Sequence, residues 1–269
     1  MLLYNNRQKV RGEKCMILEE FDTNDTALFN PEDIVKPLEN CPKTVVTCFA
    51  NDLIEHALSI FKCEIISCIS SANGKLPIYR INVDGQEIGL FMSAVGASAC
   101  VSEYEELFAM GVETIVVFGT CGVLDATIHD CAIILPDAAI RDEGCSYHYV
   151  KASDEIMVNH DTLDRMKKFF DECKLHYHVG KVWTTDAPYR ETRAKIAKRK
   201  EQGCICVDME CSAIAALASF RKKRIAQFFY SADNLGKEEY EMRSLKNEEN
   251  FDVKKEILKL AVQLAKNLS

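Results

Sequence analysis

Two short stretches set carboxylates against apolar runs: Val207-Asp208-Met209-Glu210 and Tyr230-Ser231-Ala232-Asp233-Asn234-Leu235. The run Cys206–Phe220 reads as a helix packed on both sides, and Arg224–Ser231 as a buried strand. Asp208 fits a charge placed at a helix N-terminus, where the macrodipole favours an anion. Glu210 asks for more. The residues that follow it, Ala213–Ala218, are almost uniformly apolar, so its carboxylate sits at the mouth of a buried helix and needs a partner. Two vicinal sugar hydroxyls would satisfy both of its oxygens. Asp233 leaves the apolar strand and enters a loop; it is either a turn-forming residue or a proton donor to a leaving group. A third stretch, Gly119-Thr120-Cys121-Gly122, offers backbone N–H groups, a hydroxyl and two glycines, which suits a small anion or a sugar and equally suits a plain turn. It is neither a dinucleotide fingerprint nor a phosphate-binding P-loop, because no G-x-G-x-x-G opens a helix there and no G-K-[ST] ends it.

These stretches need a scaffold, and its pattern is an alternation of strands and helices. Thr44–Phe49 is a β-branched strand followed by a helix near Asp52–Phe61; Ile78–Val83 and Glu87–Met92 flank the hairpin turn Asp84-Gly85. A helix over about Ala99–Met110 leads to the buried strand Thr114–Phe118, with the glycine-rich stretch at its exit. Ala132–Leu135 and Val179–Thr185 read as strands, Asp161–Cys173 and Glu191–Gln202 as helices. Val253, Ile257, Leu260, Leu264 and Leu268 fall at helical spacing and predict an amphipathic closing helix. The expected fold is α/β: a single domain with a central mixed β-sheet flanked by helices, over 44–269. Residues 1–43 are polar and proline-punctuated, and are expected to form an N-terminal arm with one or two short strands.

Composition narrows the function. The 269 residues carry a formal charge of -8, which argues against a nucleic-acid backbone as partner. Of the 13 cysteines none forms a C-x-x-C pair, so they read as small buried hydrophobes of a reducing compartment rather than zinc ligands. No signal-peptide pattern and no membrane span is visible. A cytoplasmic protein with no metal is expected.

Five segments in order resemble the nucleoside phosphorylase and nucleosidase superfamily, in the branch of uridine phosphorylases and hexameric purine nucleoside phosphorylases. They are V-V-F-G-T-C-G-V-L at 116–124, A-A-I-R-D-E-G-C-S-Y-H-Y at 138–149, W-T-T-D-A-P-Y-R-E-T-R at 183–193, V-D-M-E-C-S-A at 207–213 and S-A-D-N at 231–234. The resemblance covers about residues 44–235. It implies a nucleoside phosphorylase: cleavage of the N-glycosidic bond of a purine or uridine-like nucleoside, with inorganic phosphate as co-substrate and no other cofactor. It implies phosphate binding by Gly119 and Thr120, ribose binding by Met209, Glu210 and Thr120, and base binding by Cys121, Gly122, Arg193 and Asp233. Glu210 and Asp233 become the catalytic pair, Asp233 protonating the leaving base. In the pyrimidine branch a glutamine and an arginine hold the base; here Arg193 can be the arginine, but Glu191 or Thr192 stands where the glutamine belongs. A homodimer or hexamer is the implied assembly.

The phosphate site departs from the family pattern. Ala50 replaces a glycine, and Ile54 and Val117 stand where two phosphate-binding arginines belong; Lys75 and Arg80 are candidates for a third. Losing guanidinium forks removes the bidentate grip on an oxyanion. Two other readings therefore stand beside the phosphorylase: a nucleosidase that uses water, with Asp52 as the water-activating base or merely a helix cap, and a catalytically weak nucleoside-binding protein. Tyr147 and His148 are further candidates for the site lining.

Overall fold

The computed structural model describes residues 16–24, 26–72, 74–245 and 250–269. Pro31, Pro37 and Pro42 deprive the N-terminal segment of ladder donors, and among its described residues no strand forms. It holds a 3₁₀ turn, Ile17–Glu19, and a one-turn helix, α1 (Pro31–Ile34). Leu38 then docks on the body through its N–H to the Met110 carbonyl.

The body follows as β1 (Thr44–Cys48), α2 (Asn51–Ile60), β2 (Cys63–Ser71), β3 (Gly74–Val83), β4 (Gln86–Met92), α3 (Ala97–Met110) and β5 (Thr114–Val123). Next come β6 (Ile133–Asp142), β7 (Glu155–Met157), α4 (Leu163–Glu172), β8 (Tyr177–Thr185), α5 (Arg193–Glu201), β9 (Cys204–Asp208), α6 (Cys211–Arg221), β10 (Arg224–Asn234) and α7 (Phe251–Leu268). β1 and β5 read as unbroken apolar runs because both of their faces are covered. Val46, Val116 and Phe118 face a core built with α2, α4 and α7, while Val45, Ile115 and Val117 face one built with α3 and α6.

The strands form one mixed sheet in the order β10-β6-β8-β9-β5-β1-β4-β3-β2, with β7 on β6. β10 also pairs with β5 in parallel, so β5, β10, β6, β8 and β9 close into a ring of pairings from which β1, β4, β3 and β2 extend as an open sheet. Three features of this topology make the site. β9 pairs with β5 only at their carboxyl ends, Gly122 with Val207 and Val123 with Cys206, so the two ends converge. β10 runs beside β5 to its last residue, bringing Asp233 opposite Gly122. A bulge between Ser231 and Asp233 sets two residues of β10 against one of β5; such a bulge re-aims the side chains that follow it.

The expected helix over Cys206–Phe220 is corrected: Cys204–Asp208 is a strand and the helix begins at Cys211. The four apolar residues before Asp208 suit either element, and pairing with β5 and β8 decides for the strand. The Gly119–Gly122 stretch is likewise inside β5 rather than a turn at its exit. Its glycines serve close approach. A Cβ on Gly119 would lie 2.8 Å from the Phe49 ring, and one on Gly122 would strike Leu235 and lie 3.0 Å from Asp233 Oδ1.

Candidate active site

Asp208 ends β9 and organises the start of α6. Its Oδ2 accepts the N–H groups of Glu210 (2.9 Å) and Cys211 (2.6 Å), and its Oδ1 accepts the Thr184 hydroxyl at 2.7 Å. Thr184 Oγ1 in turn accepts the Ser212 N–H at 3.1 Å, which leaves its proton for Asp208. Asp208 is thus an acceptor at every contact, the geometry of an ionised carboxylate capping a helix.

Glu210 follows two residues later, buried at 7% exposure, with Oε1 accepting the Gly96 N–H at 2.6 Å. Burial, then the charge of Asp208, push its carboxyl well above the ordinary range. Burial raises Asp208 as well, to about 6, but its three donors hold it below Glu210, so Glu210 is the first of this close pair to take up a proton. The loop that presents Gly96 is itself pinned. Glu103 Oε2 accepts the Ala94 N–H, and Ser93 joins Thr47 and Tyr104 in a buried hydroxyl chain.

Glu210 and Asp233 open on one cavity of about 590 Å³ that also takes in Thr120, Cys121, Gly122, Phe49 and Met209. A second pair of carboxylates lines the same cavity. Asp233, 9% exposed, bonds the Tyr240 hydroxyl, and burial raises its carboxyl above the usual value. Glu191 lines the same wall and is pushed up to about 7, first by burial and then by the charge of Asp233. Tyr240 is pushed up to about 12 by burial and by Asp233. Among the described residues no lysine, arginine or histidine lines this cavity.

The structure therefore brings together Thr120, Cys121, Gly122, Met209, Glu210 and Asp233, and sets three other candidates apart. Gly119 lies behind the Phe49 ring, outside the lining. Arg193 is exposed at the start of α5 and donates to the Lys237 carbonyl; Glu191 occupies the wall instead. Asp52 is exposed in the first turn of α2, on an adjoining cavity of about 1200 Å³ that shares Phe49, Thr120 and Leu245 with the first. Ile54 and Val117 are core residues at 4% exposure each. Arg80 donates to the Asn40 carbonyl and sits by Glu64 and Glu87. Tyr147 turns its hydroxyl back to the Arg141 carbonyl and stacks under that guanidinium, so it is a loop support; neither it nor His148 is in the lining. Sequence reasoning missed Phe49, Val95, Tyr240 and Met242 as wall residues; the close approach at Gly119 is the one local sign of Phe49. Among the described residues no cluster of three or more His, Cys, Asp or Glu is placed to hold a metal, and no helix is long and apolar enough to cross a membrane.

The chain belongs to the phosphorylase superfamily, whose family model matches residues 49–268. Uridine phosphorylase from Vibrio fischeri superposes with a TM-score of 0.69 over 90% of this chain and 98% of that one, at 18% identity, which establishes the shared fold. Guanosine phosphorylase of Halorubrum lacusprofundi is 25% identical over 146 residues, 54% of this chain and 61% of that protein. DeoD-type purine nucleoside phosphorylase of Bacillus cereus is 26% identical over 165 residues, 58% of this chain and 67% of that protein. The chain thus spans about three fifths to two thirds of the relatives it matches in sequence.

Proposed function

We propose that the protein cleaves the N-glycosidic bond of a nucleoside and transfers the ribosyl group to inorganic phosphate, giving free base and ribose 1-phosphate. The observation that carries this reading is the pair of buried carboxylates, Glu210 and Asp233, on one nucleoside-sized cavity with Met209 and Thr120. Cleavage builds positive charge on the ribose and negative charge on the base. Glu210, steadied by the Gly96 N–H, is the group for the ribose hydroxyls. Asp233, whose carboxyl burial raises above its usual value, is the group placed to neutralise the base as it leaves. Phosphate as acceptor is the activity named for the guanosine and purine nucleoside phosphorylases that the chain resembles in sequence.

Transfer to water is the second reading, and a specific observation favours it. The two positions where the family places arginines, Ile54 and Val117, are buried aliphatic residues, and the described lining of the cavity that holds Glu210 and Asp233 offers no cation; His56, Lys254 and Lys255 line the adjoining one. Asp52, on the adjoining cavity, would then be the base. The test is chromatography of uridine, inosine, adenosine and guanosine incubated with the protein, with and without phosphate. Ribose 1-phosphate formed only with phosphate supports the first reading, and free ribose formed regardless supports the second. Tight binding with no cleavage at high protein concentration would leave a nucleoside-binding protein. We further propose that the molecule is a homodimer or hexamer, supported by the exposed apolar residues Leu28, Phe29 and Ile34; a monomer in sedimentation analysis would refute this.

A further inference from the structure

The chain that leaves β10 turns back on itself beside Asp233. Asn234 and Glu241 exchange backbone bonds, N–H to carbonyl at 2.8 and 3.1 Å, and so close a turn over 235–240. The turn is tied down along its length. Leu235 donates to the Val123 carbonyl, Gly236 donates to Asn234 Oδ1 at 2.9 Å, and the Lys237 carbonyl accepts the Arg193 guanidinium. Gly236 runs so close to the end of β5 that a Cβ on it would strike the Leu124 carbonyl oxygen. Beyond the bridge, Arg243 donates to the Ile128 carbonyl at 2.8 Å and to Glu241 at 3.1 Å.

Tyr240 is the last residue of this turn, and its two ends have different surroundings. The side chain is 54% exposed, so burial of the ring is not what places it. Its hydroxyl bonds the buried Asp233, and both residues line the nucleoside cavity. An exposed aromatic that reaches a buried carboxyl with its polar end is placed by that bond. Burial and the charge of Asp233 push the phenol up to about 12, so it keeps its proton and is the donor. Three other charges act near Asp233: those of Arg243 and Asp130, of opposite sign, and that of Glu191 on the same wall. The Arg243 guanidinium is already committed to Glu241 and to the Ile128 carbonyl.

Resting on the nucleoside reading above, we infer that Tyr240 is a positioning residue: its hydroxyl orients Asp233 and stabilises the carboxylate left when Asp233 gives its proton to the departing base. The two oxygens of the protonated carboxyl then have separate tasks. One carries the proton that passes to a base nitrogen as the glycosidic electron pair moves onto the base. The other accepts the Tyr240 hydroxyl, which keeps its own proton throughout. Once the proton has left, negative charge spreads over both oxygens, and the bond from Tyr240 becomes charge-assisted, about twice as strong as before. The donor thus makes Asp233 the stronger acid at the moment of cleavage.

The test has two arms. In the first, kcat is measured against pH with the fastest of adenosine, guanosine, inosine and uridine, in the wild type, Tyr240→Phe, Asp233→Asn and the double variant. Tyr240→Phe should lower kcat about tenfold on the acid side, where Asp233 holds its proton, and move the alkaline limb up by about one pH unit. In the Asp233→Asn background the same replacement should change kcat less than about twofold, because the group it acts through has gone. A tyrosine that merely supports the turn would cost the same in both backgrounds and leave the limb in place. The second arm needs no turnover. Heteronuclear NMR of the aspartate side-chain carboxyls follows the titration of Asp233, identified by the signal lost in Asp233→Asn, and its midpoint should rise by about one pH unit in Tyr240→Phe. A protein that cleaves no nucleoside yet shows this rise would sink the enzymatic reading and leave Tyr240 as the donor that holds Asp233. An Asp233 midpoint unmoved in Tyr240→Phe, or equal losses in both backgrounds, would overturn the inference.

Discussion

Removing the side chain of Asp208 is the sharpest probe of how the site is held. Asp208→Ala strands two buried N–H groups, those of Glu210 and Cys211, and frees the Thr184 hydroxyl proton from its acceptor. Each buried group left unpaired costs about 1–3 kcal/mol. Part of that is returned, because the variant also removes a buried anion next to Glu210. We expect a net loss of about 2–4 kcal/mol in urea unfolding at pH 7. Asp208→Asn separates the contacts. Its carbonyl oxygen can still accept the two N–H groups, but its amide nitrogen must then face Thr184 Oγ1, which already accepts from Ser212. The hydroxyl proton loses its acceptor while both helix N–H groups keep theirs, so the loss should be nearer 1 kcal/mol. In both variants the carboxyl of Glu210 should titrate lower than in the wild type, since the anion that helps to raise it has gone. Stability of Asp208→Ala within 0.5 kcal/mol of wild type would refute the capping account. An Asn variant at least as damaged as the Ala variant would refute the assignment of donors.

Four shorter predictions follow from the same geometry. Asp233→Asn should lower kcat on purine nucleosides by about 10²- to 10⁴-fold with a much smaller change in KM, as expected of a lost general acid; equal loss for all substrates in KM alone would contradict the role. Glu191 is raised from 4.5 to about 7, so the folded state holds its proton more tightly than the unfolded chain, and its contribution to stability is lost as pH rises from about 4.5 through about 7. Urea midpoints at pH 5 and pH 8 should therefore differ more in the wild type than in Glu191→Gln. Gly122→Ala puts a methyl against Leu235 and 3.0 Å from Asp233 Oδ1; about 1–3 kcal/mol of destabilisation and at least a tenfold fall in kcat/KM should accompany it. Asp52→Asn should change phosphate-dependent cleavage less than about threefold, whereas a loss of about 100-fold or more would mark Asp52 as the base that activates water.

The parts of the fold that follow local rules were legible in the residues. The Asp84-Gly85 turn does join β3 to β4, with both residues at positive φ, because that dipeptide suits the turn's backbone. β1 and β5 announce themselves as apolar runs because helices cover both faces. β9 did not, since its run is short and flows into the apolar helix behind it. β2 pairs only with β3, at the open edge of the sheet, and its Ser67, Cys68, Ser70 and Ser71 give little strand signal.

The site divides along the same line. Carboxylates at the ends of apolar runs pointed to Glu210 and Asp233, because a charge beside a buried element needs a partner whatever the fold. Which loop residue lines the cavity was beyond such reasoning. Glu191 and Arg193 are two apart, and a helix cap between them sends one inward and the other out. Asp233 likewise owes its place opposite Gly122 to a bulge that shifts the ladder by one residue. In both cases a local feature of the backbone selects the side chain that reaches the cavity: the bulge has no residue signature, and Thr192, an ordinary N-cap residue, does not tell which of its neighbours faces inward. The family resemblance named Arg193, as in the pyrimidine branch, beside Asp233, the acid of the purine branch, and left the base open. The wall that the backbone builds carries the Glu191 carboxylate instead, while the Arg193 guanidinium is held on the Lys237 carbonyl outside it.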